Sequence, residues 1–343
     1  MKKNNKKPKV LVIGLGGAIS AKLKNEHWDY GTITQKELIE STQRIKENFE
    51  IDAIDLFRMD SADIKPEQWL TLANTIYHKM QNYDGIVVTM GTDTLSYTAT
   101  AIAFMIQKNN IPIVFTGSQM DPEQINTDAK RNLRGAITIA GTSNIAETLV
   151  FFNNKIMKAT TCKKTNATEL DAFSPIGDKI IGTLQQSITI EETNYRKRTK
   201  TKPKLYSKID TEVALVKVYP GFEGKRLINL INNGATGIVL EGFGLGNLPL
   251  IDTGLKEAIK YANKKKAPVV VTSNTPLGKY WKTSYKTEIG QRFKQINIIK
   301  AYDMLPETAY VKLMWVLGQT KEPEKIEKMM LKNYAGEINY STK

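Results

Sequence analysis

The sequence holds a single cysteine, Cys162, and only two histidines, His27 and His78, among 343 residues. One thiol forms no internal disulfide, which fits a reducing compartment and points to the cytoplasm. The same scarcity excludes a Cys/His zinc centre, which needs several such ligands. Long apolar runs are missing too: nothing approaches the roughly 20 residues of a membrane helix. The start, Met-Lys-Lys-Asn-Asn-Lys-Lys-Pro-Lys, has the charge of a signal peptide. Its apolar stretch, however, is only Val10 to Ile13 before glycines intervene, and no small-residue cleavage site follows. It reads as a frayed basic tail ahead of a first strand. The remaining composition, 41% hydrophobic and 24% charged, is that of a globular chain long enough for one large domain or two ordinary ones.

A net charge of +14 raises the question of nucleic acid. The lysines are spread along the whole chain, as a broad compositional bias would place them. The densest cluster, Arg196, Lys197, Arg198, Lys200, Lys202 and Lys204, has little aromatic interleaving and reads as a solvated linker. No nucleic-acid or membrane partner is expected.

Strand-like runs alternate with helix-like ones. Val10 to Ile13, Gly85 to Thr89 and Ile111 to Thr116 are short apolar runs. Leu95 to Ile106 has helical spacing, and Pro66-Glu67 opens another helix, with proline tolerated in the first turn. Repetition of strand, loop and helix predicts an α/β fold, a mostly parallel sheet with helices on both faces. The pattern breaks in a polar, basic stretch and restarts with Val213 to Val218, a helix near Lys225 to Asn233, Gly237 to Leu240, a helix near Gly254 to Lys264, and Pro268 to Thr272. The expected organisation is a larger domain over 1–184, a linker over 185–212, and a smaller α/β domain over 213–343. Ligands in such sheets bind beyond the carboxyl ends of strands. The loops to inspect are therefore Gly14 to Ser20, Thr89 to Thr94, Thr116 to Met120 and Gly242 to Asn247.

The first loop reads G-L-G-G-A-I-S. A dinucleotide fingerprint needs glycine where Ile19 stands, and a phosphate loop needs a Gly-Lys-Ser/Thr ending. Both fail. Paired glycines still imply close backbone approach, by a ligand, by another segment, or in a tight turn alone. The second loop, T-M-G-T-D-T, packs hydroxyls and a carboxylate that could orient a small amide or carboxylate; Asp93 or Thr94 could equally cap the helix at Leu95. A third element, Lys163-Lys164-Thr165-Asn166, offers a lysine that could accept a threonine proton if desolvated, or a plain surface pair.

Taken in order, G-G-x-I-S, D-S-A-D, M-G-T-D-T, T-G-S-Q and K-T-N-A-T-E-L-D-A-F resemble the bacterial L-asparaginase family from about Lys9 to Ile338. The phrases D-S-A-D-I-K-P-E-Q-W, F-F-N-N and A-G-E-I resemble its cytoplasmic type I branch. The resemblance implies the two-domain asparaginase-like fold and hydrolysis of L-asparagine to L-aspartate and ammonia, with L-glutamine as a second candidate substrate. It implies no cofactor and no metal. It implies a catalytic group of Thr92, Asp93 and Lys164, substrate anchors at Ser61 and Asp93, and a loop tyrosine at Tyr30. Backbone N–H groups at the strand ends would stabilise the oxyanion. The G-L-G-N loop ending at Asn247 implies a residue reaching a neighbouring subunit's site, hence a homodimer or homotetramer.

One position departs sharply. Where the family reads T-G-G-T-I and its second threonine attacks, this chain has Leu15-Gly16-Gly17-Ala18-Ile19. A methyl group cannot form an acyl-enzyme, so impaired catalysis is expected. Three readings stay open: an introduced substitution that traps substrate, a natural member that kept the pocket and lost turnover, and attack by another hydroxyl, Thr92 or Ser20. A small amino-acid binding protein is the non-enzymatic alternative. The archaeal-type amidotransferase subunit acting on mischarged tRNA shares the motifs; its extra N-terminal domain, set against a first strand beginning near Lys9, argues against that reading.

Overall fold

The structure, a computed structural model, describes residues 6–24, 27–42, 44–177, 180–191, 195–275 and 296–338. The expected tail therefore lies outside the described residues up to Asn5. Two compact units result. Of the described residues, the first holds those up to Pro175 and those of 180–207; the second holds Ile176, Gly177 and those from Lys208 onward.

The first unit is built on an eight-stranded sheet. Its parallel part comprises β1 (Lys9–Gly16), β2 (Glu50–Met59), β3 (Gly85–Thr89), β4 (Ile113–Thr116) and β5 (Thr148–Phe152). An antiparallel extension adds β6 (Lys155–Lys158), β9 (Gly182–Leu184) and β10 (Ile188–Ile190), while β7 (Cys162–Lys164) and β8 (Phe173–Pro175) pair separately. The spatial order is β10-β9-β6-β5-β4-β3-β1-β2. β1 thus lies between β2 and β3, and the winding reverses there, the topological switch point where open α/β sheets bind ligands.

Near-continuous apolar strands are what burial on both faces demands. Val10, Val12, Val87 and Val114 pack with Leu38 of α1 (Gln35–Ser41) and Leu133, Ala136 and Ile137 of α4 (Ala129–Thr142). Their alternates Leu11, Ile13, Ile86, Val88 and Phe115 are equally buried. Between α1 and α4 in sequence come α2 (Pro66–Lys79) and α3 (Leu95–Met105). α3 is buried almost all round, as expected for a helix wedged between the sheet and other segments. The second unit repeats the logic with parallel strands β11 (Val213–Lys217), β12 (Gly237–Gly242), β13 (Val269–Ser273) and β14 (Ile299–Lys300). Its helices include α5 (Gly224–Asn232), α6 (Leu255–Lys264), α7 (Pro306–Gln319) and α8 (Pro323–Leu331). Among the described residues, no helix is long and apolar enough to cross a membrane.

The stretch read as a solvated linker is laid on the first unit. β10 pairs with β9, and Lys204–Leu205 pairs with Ile106–Gln107. Arg198, from the basic cluster, donates to the carbonyls of Ala140, Ser143 and Asp84 at 2.9, 2.7 and 2.6 Å. Carbonyls at a helix C-terminus lack intrahelical donors, and a guanidinium supplies them. Part of the basic cluster is therefore structural, and periodicity could not reveal it.

Candidate active site

The loops that follow β1, β2 and β3 meet at the switch point. Gly16 and Gly17 both adopt positive φ, 102° and 79°. A side chain at Gly17 would stand 2.1 Å from the Gly91 nitrogen, and one at Gly16 would strike the Met59 carbonyl at 2.3 Å. The paired glycines thus serve close approach of two other segments. Gly17 N–H donates to the Met59 carbonyl at 3.0 Å. Ala18 follows directly, opening a short 3-10 turn with its surface only partly covered.

Ser61, 2% exposed, lies between these loops. Its Oγ accepts from Asp93 N–H at 3.2 Å and its carbonyl accepts from Thr94 Oγ1 at 2.7 Å. Thr94 starts the helix at its N-cap position, as the sequence allowed, but its side chain makes no cap bond. Lys164 Nζ sits 2.8 Å from Thr92 Oγ1 and 2.7 Å from Asp93 Oδ1. Lys164 is brought there by the β7–β8 hairpin, which sets Lys164 opposite Phe173. The Lys164 side chain is 21% exposed and that of Asp93 is 63% exposed, so the pair opens to solvent through the carboxylate.

Tyr30 hydrogen-bonds Asp60, and Asp93 and Asp63 add negative charge nearby. Burial first, then Asp60, pushes its phenol up to about 12. Tyr30 is therefore a neutral donor at physiological pH and cannot begin as a base. Its loop is seated by Gly31, whose φ of 72° lets it lie against Arg58. Asp60 was not singled out from sequence, although it stands inside the D-S-A-D motif.

Two further residues were given no role from the sequence, although Gln119 ends the T-G-S-Q motif of an inspected loop. Gln119 Oε1 accepts from Thr92 Oγ1 at 3.3 Å. Asp128, 1% exposed, receives the backbone N–H groups of Gln119 and Met120. Burial pushes its carboxyl up, against the pull of those donors. From sequence, Asp128 is simply an aspartate before a helix. Asn247 belongs to the second unit, on a tight turn closed by Phe243 N–H to the Asn247 carbonyl at 2.9 Å. Its Oδ1 is buried with no hydrogen-bond partner among the described residues. Among those residues, no group of His, Cys, Asp and Glu is placed to hold a metal.

A model described as the N-terminal part of asparaginase matches residues 9–196, and one described as the glutaminase/asparaginase C-terminal domain matches 212–330. The chain belongs to the asparaginase family. An L-asparaginase of Thermococcus kodakarensis is 34% identical over 335 residues, covering 97% of this chain and 100% of that protein. The solved thermostable L-asparaginase from the same organism superposes with a TM-score of 0.89 at 32% identity, over 97% of this chain and 100% of that one. L-asparaginase I of Vibrio cholerae gives 0.85 at 26% identity, with coverages of 97% and 100%. A glutamyl-tRNA(Gln) amidotransferase subunit of Pyrococcus abyssi is 36% identical over 347 residues, which are 98% of this chain and 78% of that protein. The family therefore includes relatives of both kinds.

Proposed function

We propose that this chain binds L-asparagine in an asparaginase-type site whose nucleophile position, 18, carries alanine, so that substrate is held while turnover is impaired. The carrying observation is Lys164 Nζ bridging Thr92 Oγ1 and Asp93 Oδ1 at 2.8 and 2.7 Å. That arrangement sets a hydroxyl, an ammonium and a carboxylate within one substrate's length of the Ser61 hydroxyl. Asp93 takes the substrate α-ammonium and Ser61 its α-carboxylate, through charge-assisted hydrogen bonds. In an active relative, a threonine hydroxyl at position 18 attacks the side-chain amide carbon, ammonia leaves, and water releases aspartate. Lys164 with Thr92 is the proton acceptor. Tyr30, a neutral donor, closes over position 18. The finer placement is the cytoplasmic type I branch, supported by D-S-A-D-I-K-P-E-Q-W and A-G-E-I. Assembly as a homodimer or homotetramer would let Asn247 complete a neighbour's site, because isologous contacts close readily. Sedimentation as a monomer at micromolar concentration would overturn the assembly.

Calorimetry tests the site. L-asparagine should give saturable heat within about 10 mM, past the roughly −4 kcal/mol of a millimolar complex. Asp93→Ala should weaken binding by roughly 10- to 150-fold, the 1.5–3 kcal/mol of a hydrogen bond to a charged group. Little stability is lost with it, since the Asp93 carboxylate is 63% exposed and its pairing with Lys164 is screened. No saturation with the unsubstituted chain rejects the preserved pocket.

A second reading, an amidotransferase-related amidase, is favoured by the identity to the Pyrococcus abyssi relative. Heat from L-glutamine in place of L-asparagine would select it.

A further inference from the structure

Among the described residues, the Thr92 hydroxyl has two hydrogen-bond neighbours, Lys164 Nζ at 2.8 Å and Gln119 Oε1 at 3.3 Å. A charged lysine has only protons to give. Thr92 therefore accepts from Lys164, and its own proton goes to Gln119. The Gln119 amide cannot be reversed: its Nε2 donates to the carbonyls of Ala167 and Glu169 at 3.0 and 3.3 Å. Turning it round would set an oxygen against two oxygens.

The backbone beneath Gln119 is fixed as firmly. Gln119 N–H meets both Asp128 carboxylate oxygens, at 3.2 and 3.0 Å, and Met120 N–H meets Oδ1 at 3.1 Å. Asn132 Nδ2 bridges Asp128 Oδ2 and the Gly117 carbonyl, both at 3.0 Å. Its Oδ1 accepts from Asn153 N–H at 3.3 Å. Asp128 and Asn132 are 1% and 0% exposed, so bonds there do not exchange freely with water.

We propose that Gln119, clamped by Asp128 and Asn132, is a positioning residue that takes the Thr92 proton and keeps it turned away from Lys164 before substrate binds, while Asp93 Oδ1 holds the same nitrogen at 2.7 Å. For Lys164 to accept that proton it must first lose one of its own, and the Thr92 O–H must rotate off Gln119. The inference deepens the proposed function and rests on its pairing of Thr92 with Lys164. Its test needs no substrate, so the two can fail separately.

The test is competitive labelling of the whole chain with acetic anhydride across a pH series, read by peptide mass spectrometry, with Lys200 and Lys202 as references. Gln119→Met keeps the length and removes the acceptor. The Thr92 proton is then free to turn to the Lys164 nitrogen and favour its reactive amine. Labelling near pH 8 should rise about five-fold, the factor one ordinary hydrogen bond supplies. Asp128→Asn should move it the same way by less. Melting temperatures are read alongside, because a purely structural role lowers them and leaves Lys164 where it was. Unchanged or slower Lys164 labelling in folded Gln119→Met overturns the proposal; if that variant does not fold, the same readout on Asp128→Asn decides.

Discussion

Ala18→Thr is expected to raise ammonia release from L-asparagine by roughly 10³- to 10⁶-fold, the span that loss of a nucleophile costs. The backbone is ready for it. Gly16 and Gly17 provide the positive φ values, and the Gly17–Met59 hydrogen bond fixes the turn without help from the side chain at 18. Position 18 is partly open, so a hydroxyl and a methyl group need displace no core atom. Thr92, Lys164 and Asp93 already stand within hydrogen-bond distance. The measurement is steady-state ammonia release by both proteins under one condition. Equal rates would place the nucleophile elsewhere.

The two rival hydroxyls differ in what the structure allows them. Ser20 is 1% exposed, and its Oγ donates to the Gly17 carbonyl at 3.3 Å inside its own turn. Reaching a substrate would mean unmaking that turn. Thr92 Oγ1 has a nitrogen partner in Lys164 at 2.8 Å and an oxygen partner in Gln119 at 3.3 Å. Residual turnover by the unsubstituted chain that vanishes in Thr92→Val would identify Thr92 as the attacking group. Turnover unaffected by that change would exclude it.

Sequence pattern marked β1, β3, β4, β11, β12 and β13 with helices α2, α3, α5 and α6, because buried strands leave near-continuous apolar runs. It passed over β2, β5 and β14 and the helices α1, α4, α7 and α8. Ile111 to Thr116 narrows to β4 at Ile113–Thr116, with Pro112 before it. The site loops were legible for a related reason: a switch point needs loops at strand ends, and glycines mark where backbones touch. Gly17 against Gly91 gives that signal its physical content. Periodicity failed where single hydrogen bonds decide. Ile188–Ile190 is a largely exposed edge strand, too short to stand out. Arg198 reads as linker charge until the α4 carbonyls it serves are seen. Asp128 carries no local mark of burial, since it lies in a polar stretch whose partners are brought together only by the fold.

Lys312 is the extreme case, and it carries the second large expectation. It lies in α7, fully buried, 2.6 Å from an equally buried Glu337. Its ammonium also donates to the Lys332 carbonyl at 2.7 Å, and Glu337 accepts from the backbone of Tyr334 and Ala335. Burial pushes Lys312 below the ordinary lysine value, and Glu337 pulls it back. Removing either partner strands a buried charge, so Lys312→Met and Glu337→Gln should each cost about 3–5 kcal/mol. The double variant should cost less than either single one, because it leaves no charge behind and the glutamine oxygen still accepts a backbone N–H. Urea unfolding of the four proteins, followed by a probe in the second unit, closes the cycle. Losses that simply add would mean that the two charges do not depend on each other. A double variant more stable than its parents would show what the glutamate of A-G-E-I does, which is to neutralise the lysine that α7 buries.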